Sequence, residues 1–227
     1  GAEARTTDAI LNDPAIDAIL IATSTDTHSD LIERATGAGK AVLCEKPVDL
    51  DAKRVAKTLQ IVEKSGVPLM VGFNRRFDAN FGALKARIDE GVVGNVELVT
   101  ILSRDPGAPP VSYIATSGGL FRDMMIHDLD MARFLLGEEP VEVHAVGSSI
   151  VDPEIGKAGD VDTAAVLLKT ASGKICQISN SRRATYGYDQ RIEVHGSKGL
   201  LTAGNVLETT VKFASKSGIA ADPVQNF

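Results

Sequence analysis

Three residues invite chemistry by their company. Lys46 stands in the string Glu45-Lys46-Pro47, and Asp123 and His127 lie four positions apart in the stretch 117–136. In that stretch Leu120, Met124, Met131, Phe134 and Leu135 recur at steps of three and four, which predicts one continuous helix. Gly118-Gly119 precedes it and Gly137 follows, as start and stop signals. On such a helix Asp123 and His127 project from one face, one turn apart. A carboxylate held beside an imidazole orients the ring and raises its basicity, which is one way to build a general base. A helix whose His and Asp are satisfied by local hydrogen bonds has the same pattern.

The elements that must position these residues follow from the chain in order. Residues 7–14 read as a short helix stopped by Pro14, and the apolar run 16–22 suits a buried parallel strand. The polar turn 23–28 (Thr23, Ser24, Thr25, Asp26, Thr27, His28) leads into a helix over 29–37. A strand, a Ser/Thr turn and a helix is how an α/β sheet offers backbone N–H groups to a ligand, and it is equally a simple N-cap cluster. Residues 40–44 form a second strand that runs into Glu45-Lys46-Pro47, with Pro47 biasing Lys46 to extended backbone. A charged pair at the C-terminal end of such a strand sits where open α/β sheets place their chemistry. A helix over 51–65 closed by Gly66, and a third strand over 67–73 ending in Asn74-Arg75-Arg76-Phe77, complete a β-α-β-α-β unit with right-handed crossovers.

The composition narrows the classes of function. A net charge of −6 without a basic cluster argues against nucleic acid and anionic membranes as partners. No apolar run is long enough to span a bilayer. Two cysteines, Cys44 and Cys176, make neither a disulfide framework nor a metal cluster, so no metal site is expected and a cytoplasmic setting is the default.

The string Glu45-Lys46-Pro47, preceded by residues 22–28 and followed by Gly72-Phe73-Asn74-Arg75-Arg76, resembles the Gfo/Idh/MocA family of nicotinamide-dependent sugar and cyclitol oxidoreductases. The resemblance runs the whole chain and rests on three well-spaced motifs. It implies an α/β Rossmann-type parallel sheet over 1–77, followed by an α+β domain over 78–227 with an open, mainly antiparallel sheet. It also implies that Lys46 is catalytic, with Asp123 and His127 as its partners. The family's Gly-x-Gly-x-x-Gly segment is not present; Gly91-Val-Val-Gly94 has the wrong place and spacing. The chain therefore reads as a fragment of a longer enzyme, short at both ends, in which the Rossmann sheet is incomplete and dinucleotide binding is weak.

The second half is read as a helix over 78–93, a strand over 96–103 ending in Arg104-Asp105-Pro106, and strands over 141–150, 163–170, 174–179, 186–195, 200–203 and 209–213. Ala171-Ser-Gly173 is a hairpin turn. Asp105 faces a pocket or belongs to a solvated turn. One face of the sheet takes the helix of Asp123 and His127, and the other pairs subunits into a homo-dimer or homo-tetramer. His144 and His195 alternate with apolar residues and read as sheet residues; Cys44 reads as core.

Tyr186-Gly-Tyr188-Asp189 and residues 117–123 resemble segments of the family's inositol-oxidising members. The resemblance thus implies oxidation of a cyclic polyol, myo-inositol foremost, by NAD, with NADP not excluded. His127 would take the hydroxyl proton, Asp123 would orient it, and Lys46 would stabilise the alkoxide. Thr23, Ser24, Thr25, His28, Glu45, Lys46 and Arg75 would line the cofactor. Lys46, Arg75, Asp105, Asp123, His127 and Tyr188 would meet the substrate. The alternatives are an aldose or amino-sugar dehydrogenase, and an inactive member acting as a binding or regulatory protein.

Overall fold

The computed structural model describes residues 2–206, 211–216 and 218–221. The chain forms two compact units, residues 1–73 with 116–118, and residues 74–115 with 119–227.

In the first unit, helix α1 (Thr7–Leu11) precedes strand β1 (Ala18–Ile21), helix α2 (His28–Gly37), strand β2 (Ala41–Cys44), helix α3 (Ala52–Ser65) and strand β3 (Leu69–Val71). The strands pair in parallel in the order β1-β2-β3. Local chemistry sets the ends of the longest helix. The Asp51 carboxylate accepts from the Lys53 N–H at the start of α3, and Gly66 closes it in the left-handed region at φ 68°. Ile21, Ile32, Ala35, Val42, Cys44 and Val62 form the core between sheet and helices.

The second unit opens with a 3₁₀ turn (Asn74–Phe77) and helix α4 (Ala79–Asp89), capped by the Asp78 carboxylate on the Asn80 and Phe81 N–H groups. Strand β4 (Val96–Arg104) follows, then helix α5 (Val111–Ser117), a π turn (Leu120–Met124) and helix α6 (Ile126–Leu136). After these come β5 (Pro140–Ser148), α7 (Pro153–Lys157), β6 (Thr163–Thr170), β7 (Ile175–Ser181), β8 (Asp189–Gly196) and β9 (Gly199–Ala203). The small hairpin β10 (Lys212–Ser215) with β11 (Gly218–Ala221) ends the description; Thr209 and Thr210 of the expected last strand lie outside the described residues.

Strands β5 to β9 and β4 form one six-stranded sheet in the order β5-β6-β7-β4-β8-β9. It is mainly antiparallel, as expected, but β4 pairs in parallel with β7. Alternation puts Val99 and Ile101 of β4, Cys176 and Ile178 of β7, and Ile192 and Val194 of β8 on one face, all buried. Leu120, Met124, Met125, Met131, Leu135 and Leu136 pack into the same core. The opposite face is bare: Leu98, Leu167 and Ile175 are exposed, and every residue of β5 is at least partly exposed.

Candidate active site

The expected single helix over 117–136 is two elements. Gly119 (φ 75°) breaks the chain ahead of the π turn, whose Met125 N–H reaches back five residues to the Leu120 carbonyl at 2.8 Å. The Leu120 N–H donates to both oxygens of Asp160, at 3.1 and 3.0 Å. A regular α-helix then starts at Ile126 and ends on Gly137 in the left-handed region. Asp123 therefore belongs to the π turn and His127 to the first turn of α6, so the spacing of a regular helix does not relate them.

In the first unit the polar turn after β1 is exposed at Thr23 and Ser24 and half-buried at Thr25. The Thr23 and Thr27 hydroxyls share a hydrogen bond of 2.6 Å, and the Thr27 hydroxyl donates to the Ser24 carbonyl at 2.8 Å. His28 is buried under this turn. Its Nδ1 lies 2.8 Å from the Pro47 carbonyl oxygen and its Nε2 3.0 Å from that of Thr23. The ring thereby staples the Ser/Thr turn to the segment that carries Lys46. Glu45 is exposed at the end of β2, its carboxylate lying so close to Gly72 that a Cβ there would stand 3.1 Å from Oε2. Lys46 is half-buried and joins Pro47 through a cis peptide.

In the second unit Arg75, Asp105, Asp123 and Tyr188 gather at one end of the sheet. Asp128, fully buried, is paired with Arg75 and accepts from the Asn180 amide at 2.8 Å. Arg75 also donates to the Ser103 hydroxyl at 3.1 Å, and Ser103 donates to Gln190 Oε1 at 3.1 Å. Ser103 is opposite Asn180 on one side and Gln190 on the other, so these three form one polar row across β7, β4 and β8. All three are buried. Burial pushes the Asp128 carboxyl up, against the pull of the Arg75 guanidinium and the Asn180 amide.

Asp123 accepts from the Tyr113 hydroxyl at 3.1 Å and lies 3.7 Å from a nitrogen of Arg182. Burial and then the Asp123 charge push the Tyr113 hydroxyl up. Burial also pushes the Asp105 carboxyl up, while Arg182 and Arg75 pull it down. Asp105 is half-buried at the end of β4, near these charges. Tyr188 is raised by burial and by the Asp105 charge, with Arg75 acting the other way. The loop that carries it is tied to Asp189, which accepts from Tyr186 at 2.7 Å, from Arg191 at 2.7 and 2.9 Å, and from Asn205 at 2.8 Å.

Sequence reasoning missed Tyr113, Ser103, Asn180, Arg182 and Gln190. Three of them, Ser103, Asn180 and Gln190, carried a signal: each falls near the end of a strand, at a position that alternation assigns to the covered face. Among the described residues no group of His, Cys, Asp and Glu could hold a metal ion. His195 is a half-exposed sheet residue 3.3 Å from Glu97, and Cys44 and Cys176 are buried thiols pushed up to about 12, chiefly by burial.

A parallel sheet whose strand ends carry exposed hydroxyls ahead of a helix belongs to the dinucleotide-binding class. Residues 2–73 match the oxidoreductase family with an NAD-binding Rossmann fold, and residues 81–202 match the GFO/IDH/MocA C-terminal domain. The chain belongs to the Gfo/Idh/MocA oxidoreductase family. It is 59% identical, over its whole length and 69% of the relative's, to an inositol 2-dehydrogenase of Rhizobium meliloti. It is 53% identical, over 92% of its own length and 63% of the relative's, to a myo-inositol 2-dehydrogenase of Thermotoga maritima. Two solved structures extend the likeness. A myo-inositol dehydrogenase from Corynebacterium glutamicum superposes with a TM-score of 0.93 at 45% identity, covering 99% of this chain and 67% of that one. The scyllo-inositol dehydrogenase of Lactobacillus casei, solved with NAD(H) and scyllo-inositol, gives 0.88 at 34% identity, covering 98% and 68%. The chain thus spans roughly two thirds of the length of the proteins it matches.

Proposed function

We propose that this chain is the Lys46-, Asp123- and His127-bearing part of an NAD-dependent dehydrogenase that oxidises a secondary hydroxyl of a cyclic polyol, myo-inositol foremost, to a ketone. The carrying observation is the 59% identity to an inositol 2-dehydrogenase over the full length of the chain, in a sequence that carries Lys46, Asp123 and His127.

The residues of the first unit fit the dinucleotide. Thr23 and Ser24 stand exposed at a strand end before α2, on a turn that His28 anchors from below. Glu45 and Lys46 follow at the end of the neighbouring strand. When bound, the nicotinamide accepts the hydride. His127 takes the hydroxyl proton. Lys46 supplies a cation that favours the developing alkoxide. Asp123, held by Tyr113, orients His127 and a neighbouring ring hydroxyl. Tyr188 and Asp105 present a donor and an acceptor to further hydroxyls, as a polyol requires. Arg75, committed to Asp128 and Ser103, gives the site a fixed positive charge.

The exposed strip of Leu98, Leu167 and Ile175 supports pairing of copies through the open sheet face, as a dimer or a tetramer. Two free, buried cysteines suit a reducing cytoplasm. No helix among the described residues is long and apolar enough to cross a membrane.

The test is an assay of the full-length protein with NAD+ and a panel of myo-inositol, scyllo-inositol, aldoses and amino-sugars, reading NADH. Turnover with an inositol at the highest kcat/KM is the expected result. A preference for an aldose or amino-sugar would replace the substrate class, and no turnover with any would overturn the enzymatic reading.

A further inference from the structure

Arg182 is the largest fully buried side chain among the described residues, only 2% exposed. It follows the last residue of β7, directly beyond the polar row that holds Asn180. A buried guanidinium ordinarily has its N–H groups matched. Here Nε and Nη2 make no hydrogen bond within the described residues. Nη2 lies 3.7 Å from Asp123 Oδ2, inside ion-pair range and outside hydrogen-bonding range. The backbone brings a second carboxylate to the same place. The parallel ladder of β4 and β7 runs on past its ends, with the Asp105 N–H on the Ser181 carbonyl at 3.0 Å and the Ala184 N–H on the Asp105 carbonyl at 2.7 Å. Arg182 is thus enclosed by the loop that presents Asp105.

The groups facing this guanidinium come from every neighbouring element. They are Asp123 in the π turn, Asp105 after β4 and Tyr113 on α5; Arg75 in the 3₁₀ turn and Asp128 on α6 act on Asp105 as well, and Asp105 in turn acts on Tyr188 ahead of β8. Three carboxylates share two guanidinium charges. Arg75 is hydrogen-bonded to Asp128 and also draws Asp105 down, while Arg182 acts on Asp105 more strongly and lies against Asp123.

We propose that Arg182 is a positioning residue: its buried guanidinium is the fixed counter-charge that lets Asp123 and Asp105 sit side by side in the cluster, with Asp123 held where the proposed reaction needs it. The inference deepens the dehydrogenase reading and rests on it for the role of Asp123. The charge argument itself rests only on the cluster. Without Arg182 the carboxylates repel, and Asp105, already pushed up by burial, takes a proton at still higher pH.

The experiment compares full-length wild type, R182K, R182M and R182M/D105N by thermal unfolding against pH and by the pH dependence of kcat/KM. In R182M the acid limb of the kcat/KM profile should move up by about 1 unit or more, the size of a lost arginine neighbour. R182K, which keeps the charge, should hold the limb near the wild-type position. R182M should unfold at lower temperature at neutral pH, and R182M/D105N should recover part of that loss, because it removes a carboxylate together with the cation. If R182M does not fold, recovery of folded protein in R182M/D105N supports the proposal and its failure to fold overturns it. An unmoved acid limb in a folded R182M, with no recovery in the double variant, also overturns it. If wild type oxidises no polyol, the dehydrogenase reading falls while the unfolding data still decide whether Arg182 is the counter-charge.

Discussion

Asp128 and Arg75 form an ion pair in which the carboxylate is wholly shut off from water and the guanidinium nearly so. The pair joins the 3₁₀ turn after the first unit to the helix that bears His127, and the Asn180 amide completes it from the sheet. Arg75 was expected at a junction of cofactor and substrate. Its guanidinium is hydrogen-bonded to Asp128 and Ser103, so any charge it supplies there is already fixed in place. Replacing Asp128 by Asn leaves that buried cation without its counter-charge, and the cost should be about 3–5 kcal/mol. Urea unfolding of D128N against wild type measures it. A loss under about 1 kcal/mol, the size of an exposed pair, would mean that water reaches the pair.

His127→Ala in the full-length protein should lower kcat by about 10²–10⁴-fold, the range of a lost general base, while leaving NAD affinity nearly unchanged. Single-turnover kinetics with a cofactor-binding titration separate the two. Equal losses in both would assign His127 to binding.

Gly119→Ala should destabilise the second unit. Its φ of 75° is strained for any side chain, and an added Cβ would stand 2.4 Å from Asp160 Oδ1. Strain of this kind costs about 1–3 kcal/mol, and displacement of Asp160 would also free the Leu120 N–H. Thermal unfolding reads the loss, and a drop in kcat beyond the fraction unfolded would tie the π turn to the placement of Asp123.

Asp189 should make folding sensitive to acid. Burial alone would push its carboxyl up, but the donors on Arg191, Tyr186 and Asn205 outweigh burial and hold it at about 2. A carboxyl depressed in the folded state contributes stability that is present above its unfolded value of 3.8 and is lost as pH falls toward about 2. D189N should therefore be less stable than wild type near neutral pH, and the gap should close across that acid window. A gap that stays constant with pH would place the loss in packing.

Leu167→Lys together with Ile175→Lys puts two charges on the open sheet face without touching the core. Light scattering should show a smaller assembly than wild type, with unchanged secondary structure by circular dichroism. An unchanged mass would move the interface elsewhere.

Much of the fold was legible because alternation is a local signal. The strands at 163–170 and 96–103 were placed within a residue, and the helix over 51–65 announced itself through Asp51 and Gly66. The π turn was hidden because the apolar spacing of Leu120 and Met124 fits a regular helix equally well. What breaks the helix is Asp160, forty residues on, whose carboxylate takes the Leu120 N–H. The short helices 111–117 and 153–157 lie in segments rich in Pro, Gly and Ser, where turn signals dominate. Asp105 was legible only as a choice, because burial at a strand end depends on which loops fold over it. Arg182 gave no local cue, since a buried arginine next to a strand reads as a surface charge. Ser103, Asn180 and Gln190 could have been found by parity, since each continues the inward register of apolar residues such as Ile101, Ile178 and Ile192.

The central place of β4 sets an order on biosynthesis. Its two sheet neighbours, β7 and β8, lie far downstream, so when Arg104 leaves the ribosome neither edge of β4 has a partner. Roughly seventy further residues must be made before β7 exists, which at ~5–20 residues per second is several seconds. For that interval an apolar strand stands with both edges bare, the situation in which nascent chains aggregate or engage chaperones. Ser103 and Asp105 meet Asn180, Arg182 and Gln190 only when this wait ends, so that half of the cluster comes into being with the closing of the sheet.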